Sequence, residues 1–322
     1  MPHRASPGSG RPDPGGPGLS AGSRLRESAS AQAYVAGWRL VRLLPEPAAY
    51  ALFDRIATRV YAGGGASVRR LRANLARAVP ETELDAVTEA GVRSYLRYWC
   101  ESFRLPSWDL ADLLARTRIV REYVLRDAYA AGDGVVIALP HMGNWDWAGA
   151  WACAEGMPLM TVAERLRPER LYDEFVAYRS GLGMHVLPLG EDGVTRRLTE
   201  WVTDGGLVCL LADRDLSRAG ASVTLLGEPA SMPRGPAQLA LRTGAPLVPA
   251  TLHHEGREMV VTFHEPVPHD RGDGGDVRMM QGVADVFSDA FREHPVDWHM
   301  MQRVFLADLD PARGPAAAAP EA

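Results

Sequence analysis

The 322-residue chain contains no lysine: all 35 of its basic residues are arginine. Schiff-base catalysis and a P-loop lysine are thereby excluded. Cysteine is scarce as well. Cys100, Cys153 and Cys209 lie far apart in apolar contexts, with no CxxC pair and no metal-type cluster. This points to a reduced, cytoplasmic protein with buried thiols. A basic surplus is also missing. The net charge is -5, and no basic run carries interleaved aromatics, which argues against nucleic acid as a partner. No uninterrupted apolar run approaches the roughly 20 residues of a transmembrane helix. Nor does an apolar stretch follow a basic start, so the N-terminus does not read as a signal peptide.

The content is that of one sizeable core, with 46% hydrophobic residues. Pro, Gly, Ser and Ala dominate residues 1–31 and 307–322, which read as disordered tails. "GLSAG" in the first tail matches a nucleophile elbow around Ser20, but it lacks the strand and helix that motif requires. Between the tails a single domain is expected over 32–306, with a helical part at 32–131 and an α/β core at 132–306. In "AYVAGWRLVRLLPEPAAYALFDRIATRVY", apolar residues recur at helical spacing with Arg39, Arg42, Arg55 and Arg59 among them, and Pro45 and Pro47 split two helices. Two readings stand for this pair. It packs on a core, or it lies on an anionic bilayer with Trp38, Tyr50 and Phe53 turned inward.

From residue 134 short apolar runs alternate with helical segments. "GVVIALP", "LMTVAE", "HVLPLG", "LVCLLAD", "SVTLLG", "PLVPATLHHE" and "EMVVTFHEPV" read as strands, and a closing helix covers "DVRMMQGVADVFSDAFREH". Apolar strands alternating with helices imply an α/β fold with a mostly parallel central sheet covered by helices on both faces. In such sheets the site lies outside the carboxyl ends of the strands. His141, Glu164 and Asp213 fall at three such ends.

"VVIALPHMGNWDWAGAW" (135–151) carries the densest chemistry. On one continuous helix His141 and Asp146 would stand about 140° apart and could not meet. With His141 in the loop before the helix, Gly143 at a tight bend and Asn144 as N-cap, Asp146 in the first turn can fold back toward the imidazole. A carboxylate on one ring nitrogen fixes the tautomer and leaves the other as a general base. No Ser or Cys stands beside His141, which fits direct attack by a substrate hydroxyl. A metal site is the other reading, with too few ligands unless His253 and His254 contribute. We expect none. Trp147 and Trp151 share a helix face, and core packing is favoured over sugar stacking.

"PHMGNWDWAGAW" carries the H-x4-D motif and resembles the lysophospholipid acyltransferase superfamily in its bacterial lipid A late acyltransferase version. The extended match looks most like the phosphatidylinositol mannoside acyltransferases. Further blocks follow in order, including "TVAERLRPERLYDEFVAYRSGLGM", "LLADRDLSRAGASVTLLGEPASMPRGPAQLALRTGAPLVPA" and "DWHMMQRVF", so the resemblance covers about 32–306. It implies His141 as general base, Asp146 as its orienter, and acyl-CoA as co-substrate with no further cofactor. It also implies a mannose hydroxyl of a phosphatidylinositol mannoside, or a related glycolipid, as acceptor. The enzyme would be peripheral, at the cytoplasmic face of the cell membrane, on an anionic surface. A different glycolipid or a lysophospholipid as acceptor, a thioesterase using the same dyad, and a non-catalytic membrane module are the alternatives.

Within these blocks Glu164 and Arg165 follow a strand and are candidates to bind the sugar, with a surface ion pair as the plain alternative. Arg179 is a candidate for a phosphate or for an inward carboxylate, with a plain helix-surface arginine as the alternative. The family places an acidic residue at "ADRDLS", where Asp213 is preferred to Asp215, with Arg214 between them. Arg234 and Gly235 open a helix whose free N–H groups suit an anion. Arg234 stands where a small residue is expected.

Overall fold

The computed structural model describes residues 37–165, 169–217 and 219–309. Ser20, the whole expected tail 1–31 and the greater part of the expected tail 307–322 lie outside them. Helical residues 37–43 (α1) stop before Pro45, and α2 (Glu46–Gly63) restarts with Pro47 in its first turn, where proline's missing N–H costs nothing. The helices α3 (Ala66–Leu75), α4 (Glu81–Arg104) and α5 (Leu110–Ala115) follow. The expected helical part then departs from expectation. Thr117–Val120 is a strand, β1, and it pairs in parallel with a strand near the end of the chain. Its alternation is too short to stand out from the helices around it. The sheet therefore begins before residue 132.

After α6 (Glu122–Ala130) the strands and helices alternate as the apolar runs require: β2 (Val135–Leu139), α7 (Trp145–Ala154), β3 (Leu159–Ala163), α8 (Glu169–Gly181), β4 (His185–Pro188), α9 (Val194–Thr203), β5 (Leu207–Leu211). A hairpin of β6 (Ala221–Leu225) and β7 (Glu228–Met232) interrupts the pattern and forms its own two-stranded sheet. The chain closes with α10 (Gly235–Thr243), β8 (Leu247–Glu255), β9 (Glu258–Phe263) and α11 (Gly275–Glu293). Seven strands form the main sheet in the order β1-β9-β8-β2-β5-β3-β4. Every pair is parallel except β8 with β9.

The strand β2 lies at the centre, and all five of its residues are buried. Its side chains alternate between the two faces. Val136 and Ala138 join a core with α10 and α11, while Val135, Ile137 and Leu139 join one with Trp147 and Trp151 of α7. Trp147 is fully buried and Trp151 nearly so, which puts both tryptophans in packing. A third core unites Trp38, Phe53, Phe103, Phe175 and Tyr178. The inward aromatics of the first helices thus meet α4 and α8, not a bilayer: Trp38 donates to the Phe103 carbonyl and the Tyr50 hydroxyl to Glu101. Among the described residues no helix is long and apolar enough to cross a membrane, and the three cysteines are free.

Candidate active site

The site is set by strand register. β2 and β5 are parallel neighbours with Leu139 opposite Leu211. Hydrogen-bonded strands lie about 4.8 Å apart, so residues at equal offsets beyond that pair remain side by side. His141 and Asp213 are each two residues past it. The Ala212 amide still donates to the Leu139 carbonyl at 2.8 Å, which extends the pairing toward them.

His141 Nδ1 lies 2.6 Å from Asp213 Oδ1, and the His141 backbone N–H donates to Asp213 Oδ2 at 2.9 Å. The Trp298 indole N–H donates to that same Oδ2 at 3.1 Å. Asp213 is fully buried. Burial pushes its pKa up, but the His141 side chain, the two N–H donors and their field outweigh that and hold it below the usual carboxylate range. An ionised Asp213 can only accept, so Nδ1 carries a proton, and in the neutral ring the lone pair lies on Nε2. The imidazole is 27% exposed, and among the described residues no side chain is hydrogen-bonded to Nε2. The Trp145 indole stands edge-on beside the ring, with centroids 5.5 Å apart.

The local turn follows the expected logic. Gly143 adopts φ 57°. A Cβ there would lie 2.9 Å from Leu252 Cβ, so glycine answers both the conformation and the close approach. Asn144 caps α7, its Oδ1 accepting from the Trp147 amide at 3.0 Å.

The expectation for Asp146 is corrected. Its carboxylate makes no hydrogen bond to His141 and accepts instead from Arg179 Nε at 2.7 Å and the Tyr98 hydroxyl at 3.1 Å. Helical direction carries it toward α8 and α4, whereas sheet register delivers Asp213 to the imidazole. Arg179 meets an inward carboxylate, one of its three readings. Burial lowers its pKa, but Asp146 more than restores it, and the pair stays ionised on the guanidinium side.

The other candidates scatter. Glu164 is half-buried just past β3. Arg165 makes surface ion pairs with Glu191 at 3.1 Å and Glu169 at 3.7 Å, the plain alternative. Arg214 is half-buried beside Asp213. Asp215 serves its own loop, accepting from Ser217, Gly220 and Ser231. Arg234 precedes α10, with Gly235 its first residue, and reaches Asp276 at 3.5 Å. No hydrogen bond or ion pair links Arg165, Arg234 or Gly235 to His141.

Several participants went unassigned in the sequence. Trp298 belongs to the "DWHMMQRVF" block but carried no role. Met142 bridges to Trp298 in antiparallel fashion, with the His299 amide donating to the His141 carbonyl at 2.8 Å and the Gly143 amide to the Asp297 carbonyl at 2.9 Å. A segment some 155 residues downstream therefore braces the histidine loop. The chain of indole, buried carboxylate and half-buried imidazole is legible only after folding.

A family model described as bacterial lipid A biosynthesis acyltransferase matches residues 20–307. A phosphatidylinositol mannoside acyltransferase of Mycolicibacterium smegmatis is 43% identical over 285 residues, covering 87% of this chain and 92% of that protein. Proteins of the same name from two Mycobacterium tuberculosis strains are 42% identical over 298 residues, covering 90% of this chain and 93% of theirs. With a histidine just past the carboxyl end of a central sheet strand and likeness over nearly its whole length, the chain belongs to the bacterial lipid A biosynthesis acyltransferase family, among the relatives of its phosphatidylinositol mannoside acyltransferases.

Proposed function

We propose that this acyltransferase moves a fatty acyl chain from acyl-CoA to a mannose hydroxyl of a phosphatidylinositol mannoside, with His141 as general base and Asp213 as its orienter. The observation that carries the chemistry is the His141 ring, with Nδ1–H on a buried carboxylate, a side chain 27% exposed, and no side chain among the described residues hydrogen-bonded to Nε2. Nε2 takes the proton of the acceptor hydroxyl as its oxygen attacks the thioester carbonyl carbon. The tetrahedral intermediate collapses with cleavage of the C–S bond. The leaving thiolate takes the proton from the imidazolium, and an ester and free CoA result. No hydroxyl or thiol side chain among the described residues bonds Nε2, which supports direct transfer over a covalent acyl-enzyme. The acceptor rests on what the mycobacterial relatives are named for.

A cavity of about 540 Å³ between α5, α7 and α8, lined by Leu105, Leu113, Ala150, Cys153 and Leu182 among others, has a size suited to an acyl chain. Membrane contact at the cytoplasmic face is proposed for the outer side of α1 and α2. Leu40 is 60% and Leu43 80% exposed, and Leu52, Val60, Arg39, Arg55 and Arg59 are exposed with them. Apolar anchors with arginines among them suit an anionic bilayer.

The test mixes the purified chain with palmitoyl-CoA and mono- or dimannosylated phosphatidylinositol, lysophospholipid or no acceptor, and reads products by mass spectrometry. An acylated mannoside, abolished by His141→Ala, is expected. Free palmitate as the sole product would turn the reading to a thioesterase, and acylated lysophospholipid alone would reassign the acceptor.

A further inference from the structure

We propose that Glu101, His254 and Asp297 are positioning residues for His141, an imidazolium clamped between two carboxylates that fixes the loop His141–Asn144 in the register that presents His141 to Asp213. It rests on the acyl-transfer reading only for its kinetic assay.

Geometry sets the charge. His254 Nε2 lies 3.0 Å from Glu101 Oε2 and Nδ1 lies 2.9 Å from Asp297 Oδ1. An ionised carboxylate only accepts, so both ring nitrogens carry protons. The three side chains are nearly or fully buried, with exposures of 6%, 0% and 10% for His254, Glu101 and Asp297. Glu101 Oε1 meets Arg97 Nε at 2.6 Å and the Tyr50 hydroxyl at 3.2 Å. Asp297 Oδ1 also accepts from the Ser94 hydroxyl at 2.7 Å, and His299 Nε2 reaches that hydroxyl at 3.0 Å. Two cations and two carboxylates therefore balance, as a buried group of charges must. In the same direction, burial lowers the His254 pKa but the two carboxylates more than reverse it.

The network grips the catalytic loop at two points. Asn144 Nδ2 donates to Glu101 Oε2 at 3.2 Å while its Oδ1 caps α7. The Asp297 carbonyl receives the Gly143 amide, and its neighbours Trp298 and His299 hold Asp213 and the His141 carbonyl. Helix α4, strand β8 and the chain's final segment thus meet behind one loop. None of these carboxylates touches the His141 ring. A neutral His254 would donate one N–H instead of two and set its lone pair against a carboxylate oxygen, which loosens the loop that Glu101 and Asp297 hold.

The test uses the full chain. Imidazole-15N NMR of wild type, with His254 assigned through His254→Gln, should show both His254 nitrogens protonated at pH 7.5, and the downfield Nδ1–H of His141 should be visible. Asn144→Ser keeps an N-cap oxygen but cannot reach Glu101; Glu101→Gln removes the charge. Both are expected to broaden or shift the His141 Nδ1–H. Both should also lower kcat by about 10²-fold, as small misplacements of a catalytic group do, with KM for palmitoyl-CoA changed less than about twofold. Thermal melts correct for the folded fraction. A neutral His254 at pH 7.5, or both variants with an unchanged His141 signal, overturns the proposal. If wild type acylates no acceptor, the functional reading fails, and the NMR signals alone decide this one.

Discussion

Asp213→Asn separates the carboxylate that the structure sets on His141 from Asp146, the orienter expected from the sequence. At the Oδ2 position two N–H groups, from His141 and the Trp298 indole, demand an acceptor. The new amide must place its oxygen there, which turns its NH2 toward His141 Nδ1, 2.6 Å away in the native pair. A donor facing Nδ1 forces the proton onto Nε2, the nitrogen proposed as the base. A tautomer reversal of this kind in a serine-protease triad lowers kcat by about 10⁴, and about 10³–10⁴ is expected here, or roughly 4–5 kcal/mol of barrier. Asp146→Asn should behave differently. It leaves the Arg179 guanidinium, 16% exposed, without its carboxylate. That is a stability cost of about 3–5 kcal/mol, visible in urea unfolding. kcat per folded molecule should then fall less than in Asp213→Asn. The assay is acyl transfer under saturating palmitoyl-CoA, normalised to folded protein by circular dichroism. If Asp213→Asn keeps kcat within tenfold of wild type, or if Asp146→Asn is the more damaging in kcat at unchanged fold, the assignment of Asp213 is wrong.

Trp298→Phe should keep the stack on Phe291, whose centroid lies 4.0 Å away, but remove a donor to an ionised oxygen worth about 1.5–3 kcal/mol; kcat should drop about tenfold, and an unchanged rate would deny the indole a role. Gly143→Ala must hold φ near 57° with a Cβ against Leu252, so it should cost roughly 1–2 kcal/mol or more in urea unfolding; an equally stable variant would show that the turn relaxes freely. The His254 pKa is raised from 6.5 to about 9. Its stabilising contribution is therefore fully present below pH 6.5 and lost as pH rises through about 9, on the order of 3 kcal/mol at most. Wild-type unfolding free energy measured across that window should decline more steeply than that of His254→Gln, and parallel curves would refute it. Leu40→Glu with Leu43→Glu should reduce binding to anionic vesicles by tenfold or more while leaving kcat in detergent micelles intact; full vesicle binding would move the membrane contact elsewhere.

The alternation of apolar strands and helices was legible because burial on both faces writes itself into composition. Strands β2 to β5, β8 and β9 fall where "VVIAL", "LMTVA", "HVLP", "LVCLL", "LVPATLHHE" and "EMVVTF" stand. β1 and β7 escaped for a physical reason. β1 has four residues, mostly half-buried, and pairs with a distant segment; β7, "EPASM", opens on a glutamate and a proline and mixes exposed, half-buried and buried positions. The turn chemistry at Gly143 and Asn144 was equally local, so it too could be read ahead of folding.

The spacing of His141 and Asp146 was also visible, but spacing along a chain does not say which way a side chain turns. In the helix Asp146 points to Arg179 and Tyr98. The partner of His141 comes from 72 residues away, chosen by the parallel register of β2 and β5. The bracing by Glu101, His254 and Asp297 likewise unites α4, β8 and the final segment. By itself the sequence determined the α/β class, the strand that ends at His141, the sharp turn after it and the family likeness, because propensity, burial and turn chemistry are local. The tertiary structure alone decided which carboxylate the histidine meets and what holds its loop. Register between strands and contacts across helices join residues whose nearness no stretch of the chain encodes on its own.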